Sequence, residues 1–246
     1  MMQGNYNRQA VYSTRRKRRR RREILRRIKI CLLTFVVTAA VVCATVFIFG
    51  LIKGQQYDEG FIPSPYGSNV SERVEKAEEL EIPDWIDVQL IHPHNTARSE
   101  IRLTDIKNIV IHYVGNPDTT AQNNRDYFDK ESTTVSSHFI VGLDGEIIQC
   151  LPLYEKSAAS NHRNKDTISI EVCHPDETGK FSGETYRSVV KLAAWLCYEF
   201  DLDEKDVIRH YDITEKICPK YYVEHEDKWV ELKNDIENEI ALLKKK

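Results

Sequence analysis

The residues best able to do chemistry lie in Val207-Ile-Arg-His-Tyr-Asp-Ile-Thr-Glu-Lys-Ile-Cys-Pro219, where seven residues separate His210 from Cys218 and Lys216 stands close to the thiol. A borderline-soft ion such as zinc takes imidazole nitrogen and thiolate together. His210 ends a short apolar run and Cys218 follows in a loop, so the two can meet on one ion. A catalytic zinc usually has three protein ligands and keeps a fourth position for water. The best third candidate is His112, near the end of Asn108-Ile-Val-Ile-His-Tyr-Val114. Taken singly, a histidine after a strand is more often structural and a buried cysteine is more often packing. The combination points to a metal centre.

A carboxylate goes with these ligands. In Thr167-Ile-Ser-Ile-Glu-Val-Cys173, alternation places Ile168, Ile170 and Val172 on one face and Thr167, Ser169, Glu171 and Cys173 on the other. A carboxylate centred in a strand is costly unless it is paired or useful. The plain alternative is a salt-bridged glutamate on a solvated face. The set suits metal-assisted hydrolysis, since zinc acidifies water and polarises a carbonyl. Glu171 would take the proton of the attacking water and pass it to the leaving amine. Lys216 would donate to the developing oxyanion; a solvated loop lysine is its default reading.

These side chains need a scaffold. The apolar run 106–114 ends at Gly115-Asn-Pro117 and predicts a buried strand. A short helix is expected over 122–130. Two strands over 136–142 and 146–151 flank a hairpin turn at Leu143-Asp144-Gly145. Further strands are expected over 85–90, 167–173 and 207–210, with Asn161 to Asp166 as a polar loop. Tyr186, Val189, Val190, Ala193, Leu196, Cys197 and Phe200 recur at helical spacing over 184–200, and 226–243 reads as a charged amphipathic helix. Strands interleaved with helices, with one tight hairpin, predict an α/β fold: a mixed central sheet flanked by helices.

Charge divides the chain. Residues 1–29 hold twelve Lys or Arg against Glu23 alone, 30–52 hold no charge, and the net charge of the whole is -3. The rest therefore carries -3 - 11 = -14. The 23 apolar residues 30–52, flanked on one side by the cluster Arg15 to Arg22, predict one N-terminal transmembrane helix with a cytoplasmic N-terminus and an extracellular domain. The run is longer than a signal-peptide core, and Lys53-Gly-Gln-Gln-Tyr57 offers no cleavage site, so an uncleaved signal anchor is favoured. The acidic main domain argues against a nucleic-acid partner. The expected organisation is a basic tail at 1–29, a signal anchor at 30–52, a linker with one short helix at 53–84 and a catalytic domain at 85–246. Of six cysteines, Cys31 and Cys43 fall in the apolar segment and Cys218 in the ligand set. Cys150, Cys173 and Cys197 are left. A Cys150–Cys173 disulfide and free buried thiols both remain open.

Four segments in order carry a family resemblance: Ile109-Val-Ile-His-Tyr113, Ser137-His-Phe-Ile-Val-Gly-Leu-Asp-Gly-Glu-Ile147, Asn164-Lys-Asp-Thr-Ile-Ser-Ile-Glu-Val172 and Arg209-His-Tyr-Asp-Ile-Thr-Glu-Lys-Ile-Cys-Pro219. The stretch resembles the zinc-dependent N-acetylmuramoyl-L-alanine amidases of the amidase-2 and peptidoglycan-recognition-protein group. The resemblance implies zinc held by His112, His210 and Cys218, Glu171 as catalytic carboxylate and Lys216 as transition-state stabiliser. It implies peptidoglycan as substrate, cut between N-acetylmuramic acid and L-alanine; the predicted topology adds the expectation of a wall hydrolase anchored to the membrane of a Gram-positive-type envelope. The alternatives are a non-catalytic peptidoglycan-binding module and a zinc hydrolase of another wall peptide bond. Two departures stand out. Ser137 occupies a position that is Tyr in some members, and Ser157-Ala-Ala-Ser-Asn-His162 replaces a Trp-His-Ala-Gly-like segment. His138 reads as structural or as a support to the ligands.

Overall fold

The computed structural model describes residues 70–93 and 97–245. Helix α1 (Glu72–Glu79) leads to the short strand β1 (Asp87–Val88) and then β2 (Asn108–Ile111). Helix α2 (Ala121–Phe128), the hairpin β3 (Phe139–Val141) and β4 (Ile147–Gln149), and β5 (Thr167–Val172) follow. Helix α3 (Gly183–Glu199), β6 (Val207–Arg209), α4 (Tyr211–Thr214), α5 (Lys220–Glu224) and α6 (Glu226–Leu243) complete the domain.

The six strands form one sheet in the order β1-β4-β3-β5-β2-β6. Pairing is parallel except between β3 and β4, so the sheet is mixed, as expected. The antiparallel pair turns at Gly145, where φ is +84°. A Cβ there would lie 2.8 Å from Ser188 Oγ and 3.0 Å from the Glu184 carbonyl, so the turn is pressed against α3. Only glycine satisfies both the dihedral and the contact.

Strand alternation divides the core in two. Phe139, Val141, Ile168, Ile170 and Val172 face a large cluster with α3, α6 and Val74 and Ala77 of α1. Ile140, Ile148 and Cys173 face a smaller one with Ala121 and Phe128 of α2. Burying a side chain such as Phe139 contributes about 2–3 kcal/mol. Helix α2 starts at a capping box: Thr120 Oγ1 accepts from the Asn123 amide, and the Asn123 side chain accepts from the Thr120 amide. Tyr186 donates to Asp235 at 2.6 Å and ties α3 to α6.

One expectation of fold class is corrected. No helix among the described residues is long and apolar enough to cross a membrane. The segment 30–52, on which the transmembrane helix and the membrane as a partner were placed, lies outside them. Among the described residues the architecture is the α/β domain. The basic tail 1–29 and residues 53–69 of the linker also lie outside the described residues. The short helix expected after them does form. It is fastened to the domain by Arg73, which donates to the carbonyls of Ile106 (3.2 Å) and Asp201 (2.9 Å).

Cys150, Cys173, Cys197 and Cys218 are free, buried thiols, which settles the open pairing of Cys150 with Cys173.

His138 is fully buried and structural. Its Nε2 donates to the Glu155 carbonyl at 2.8 Å, while Nδ1 accepts from the Ser169 amide at 3.0 Å. Burial lowers its pKa from 6.5 to about 4, against the opposing Glu155 hydrogen bond. The folded state therefore prefers the neutral ring. The stability this confers is complete above pH 6.5 and is lost as pH falls towards 4, by on the order of 3 kcal/mol. In thermal melts, His138→Gln should lower the melting temperature at pH 7 yet show a flatter decline between pH 6.5 and 4 than the parent. Parallel declines would show that His138 does not titrate with unfolding.

Candidate active site

Register assembles the site. Ile111 of β2 lies beside Ile170 of β5 and Arg209 of β6. One step further along each strand stand His112, Glu171 and His210. The His112 amide donates to the Ile170 carbonyl at 2.8 Å and the His210 amide to the Ile111 carbonyl at 3.2 Å. The three side chains thus gather at the carboxyl ends of parallel strands, where open α/β sheets bind ligands.

Cys218 comes from the loop between α4 and α5. Arg209 holds that loop. Its guanidinium donates to Asp212 at 2.9 Å, to Glu226 at 2.6 Å and to the Tyr222 carbonyl at 3.0 Å. Glu215 ends α4 with φ +62°, and the Tyr211 amide donates to the Cys218 carbonyl at 2.9 Å. This tight return brings the sulfur back to β2.

His112, His210 and Cys218 are buried, with one donor atom from each lying within 4.8 Å of the others. The Cys218 sulfur is 3.8 Å from His112 Nδ1, and the two imidazole centroids are 4.6 Å apart. His210 Nδ1 is buried without a hydrogen-bond partner. Two imidazoles, one thiolate and an unpaired lone pair fit a borderline-soft cation. Burial first, then His210 and Lys216, hold His112 well below its ordinary pKa, and burial and Lys216 lower His210. Both rings are therefore neutral, as ligands must be. Burial, with Glu171, pushes the Cys218 thiol up to about 12; the Tyr113 backbone N–H and Lys216 act the other way. A coordinated cation would reverse that balance.

Glu171 is half-buried and its Oε2 has no hydrogen-bond partner. Burial raises its carboxyl to about 8, opposed by Lys216. That oxygen is buried and bonded to no cation, so Glu171 is not a salt-bridged glutamate on a solvated face. Lys216 is exposed, yet it lines the same cleft of about 510 Å³ as Glu171 and the three ligands. An adjoining hollow of about 690 Å³ shares Val135, Ala158, Ala159, His210 and Lys216 with it, making one groove through the site. All five residues singled out in the sequence meet here.

Several contributors were not singled out. Ser160 Oγ is 3.2 Å from His112 Nε2, and Asn161 Oδ1 is 3.1 Å from His210 Nε2. Both belong to the segment that departs from the family pattern, and a polar turn gave no other signal of their role. Tyr113 lines the cleft and stacks on the buried His174 at 5.1 Å. Ser137 donates to the Phe139 carbonyl at 2.7 Å and is fully buried, so this serine does not line the cleft. His162 and His92 are exposed, and His94 lies outside the described residues.

Comparison with known proteins agrees with this geometry. Residues 102–221 match the family described as N-acetylmuramoyl-L-alanine amidase, Amidase_2. The chain is 31% identical over 165 residues to the N-acetylmuramoyl-L-alanine amidase BlyA of Bacillus subtilis (strain 168), covering 58% of this chain and 44% of that protein. It is 30% identical over 143 residues to the N-acetylmuramoyl-L-alanine amidase CwlL of Bacillus licheniformis, covering 51% and 39%. The chain thus spans less than half the length of these two relatives. Among solved structures, the catalytic domain of XlyA aligns with a TM-score of 0.54 at 27% identity, covering 61% of this chain and 98% of that domain. Residues 102–221 are thus similar in sequence and fold to the Amidase_2 family of N-acetylmuramoyl-L-alanine amidases.

Proposed function

We propose that the domain is a zinc-dependent N-acetylmuramoyl-L-alanine amidase that acts on peptidoglycan outside the cytoplasm, where that polymer lies. The observation that carries this reading is the convergence of three buried soft and borderline donors with a partnerless carboxylate in one groove. A zinc ion held by His112, His210 and Cys218 would acidify water and polarise the scissile carbonyl.

The remaining work falls to the chain's own groups. Glu171 takes the proton of the attacking water at its unpaired Oε2 and delivers it to the departing L-alanine amine. Its burial keeps that proton within the site, and a cation bound beside it would draw the carboxyl below its metal-free value. Lys216 reaches the groove from the loop before Cys218 and donates to the oxyanion as it forms. The two adjoining hollows leave room for the muramyl and the stem-peptide sides of the reacting amide.

Metal uptake should release more than one proton at neutral pH, up to about two, because the Cys218 thiol must ionise to bind and the raised Glu171 carboxyl is drawn down beside the cation. Calorimetry in buffers of different ionisation heat measures it. His210→Ala or Cys218→Ala should lose zinc uptake and hydrolysis together, and full activity in either would sink the ligand assignment. Glu171→Gln should keep zinc and lose about 10²–10⁴ in rate, with Lys216→Ala losing about 10²–10³. The direct test is digestion of Gram-positive peptidoglycan, with products followed by mass spectrometry. Stem peptides bearing a free L-alanine amine, suppressed by a chelator and restored by zinc, are expected. Other new amine termini would mean another bond, and binding without products would mean a recognition module.

A further inference from the structure

The loop between β4 and β5 carries a feature that neither the ligand set nor the family resemblance assigns. The outward nitrogens of both imidazoles are taken by consecutive residues: His112 Nε2 by Ser160 and His210 Nε2 by Asn161. We propose that Ser160 and Asn161 are positioning residues that hold the outward nitrogens of both imidazoles, with Asn161 fixing His210 in the Nε2–H tautomer so that its Nδ1 lone pair is left for the cation. This rests on the metal-centre reading above and adds to it the device that prepares the site.

A neutral imidazole has one N–H and one bare nitrogen. An amide oxygen only accepts, so Asn161 Oδ1 requires the proton of His210 on Nε2. His210 Nδ1 is then a bare acceptor. It is buried and unpartnered, which is tolerable for a lone pair awaiting a cation and costly for an N–H. The opposite tautomer would leave a buried donor facing the Cys218 thiol and His112. For His112, Nδ1 faces the Cys218 sulfur at 3.8 Å, so Nε2 is the atom free to be held by the fully buried Ser160. Partners of this kind fix ring orientation and raise ligand basicity.

The loop is built to hold this pair. Asn161 sits at φ +53°, a left-handed conformation that asparagine tolerates better than most residues. Asn164 Oδ1 accepts from the Ala159 amide at 3.1 Å and also from the Ser160 amide. Arg163 bonds Asp166 at 2.7 Å and reaches Asn108 Oδ1 at 2.6 Å, pinning the turn to the start of β2. The strand that delivers His112 therefore also anchors the loop that orients it.

The test uses the full chain, with zinc as the probe. Nitrogen-15 shifts of the metal-free protein at pH 8 report which ring nitrogen of His210 carries the proton, and Nε2–H is expected. The Nδ1–H form in the parent protein would overturn the proposal without any variant. Asn161→Gly keeps the left-handed backbone and removes only the acceptor. It should mix the His210 tautomers and weaken zinc by about 10- to 100-fold in chelator competition. Asn161→Asp restores an acceptor and should bind zinc at least as tightly as the parent, a rescue that mere loop packing would not produce. Parental zinc affinity and a single tautomer in Asn161→Gly would overturn the role, while the metal-centre reading survived. A parent chain that binds no zinc would overturn both.

Discussion

The pairing of β2 with two parallel neighbours is the constraint on which the site depends. Because Ile111 is level with both Ile170 and Arg209, the residues that follow are delivered side by side at one edge of the sheet. A slip of one residue in either pairing would turn a ligand or the carboxylate to the opposite face. That cost is prevented by burial on both faces: Ile109, Ile111, Ile168 and Ile170 face the large cluster, and Ser169 is engaged by His138 on the other side. The apolar core and the geometry of the candidate site are set by the same hydrogen-bond ladder.

The second constraint is the return of the chain after β6. Cys218 is useful only if the loop from 211 to 217 folds back to β2 in a fixed way. Arg209 achieves this by holding Asp212, Glu226 and the Tyr222 carbonyl together, so residues before and after the cysteine share one anchor. The anchor is itself the residue preceding a ligand. Its position in β6 leaves His210 little freedom, and the loop lysine is carried into the groove as a result.

Much of this was legible in the residues. The apolar runs around 109 and 168, and the helical spacing over 184–200, fix their elements because period and burial agree. His112, Glu171 and His210 could be aligned from strand ends alone. Helix α1 was less legible, since Glu-Arg-Val-Glu-Lys-Ala-Glu-Glu has only Val74 and Ala77 to bury, and no periodicity shows that these two reach the core. Ser160 and Asn161 were hidden for a different reason. Both residue types favour turns through local hydrogen bonds, so a polar loop accounts for them before any longer-range contact is considered. The membrane reading drew on residues 30–52, and the described fold contributes no spanning helix to it.

The buried thiols have a consequence for redox behaviour. Disulfide exchange proceeds through the thiolate, and its rate follows the ionised fraction. Burial pushes Cys173, Cys197 and Cys218 up to about 12 and Cys150 higher still. At neutral pH all four are held as protonated sulfur, shielded from oxidants by the same packing that raises them. The fold can therefore hold the Cys218 sulfur as an unreactive thiol until a cation draws off its proton.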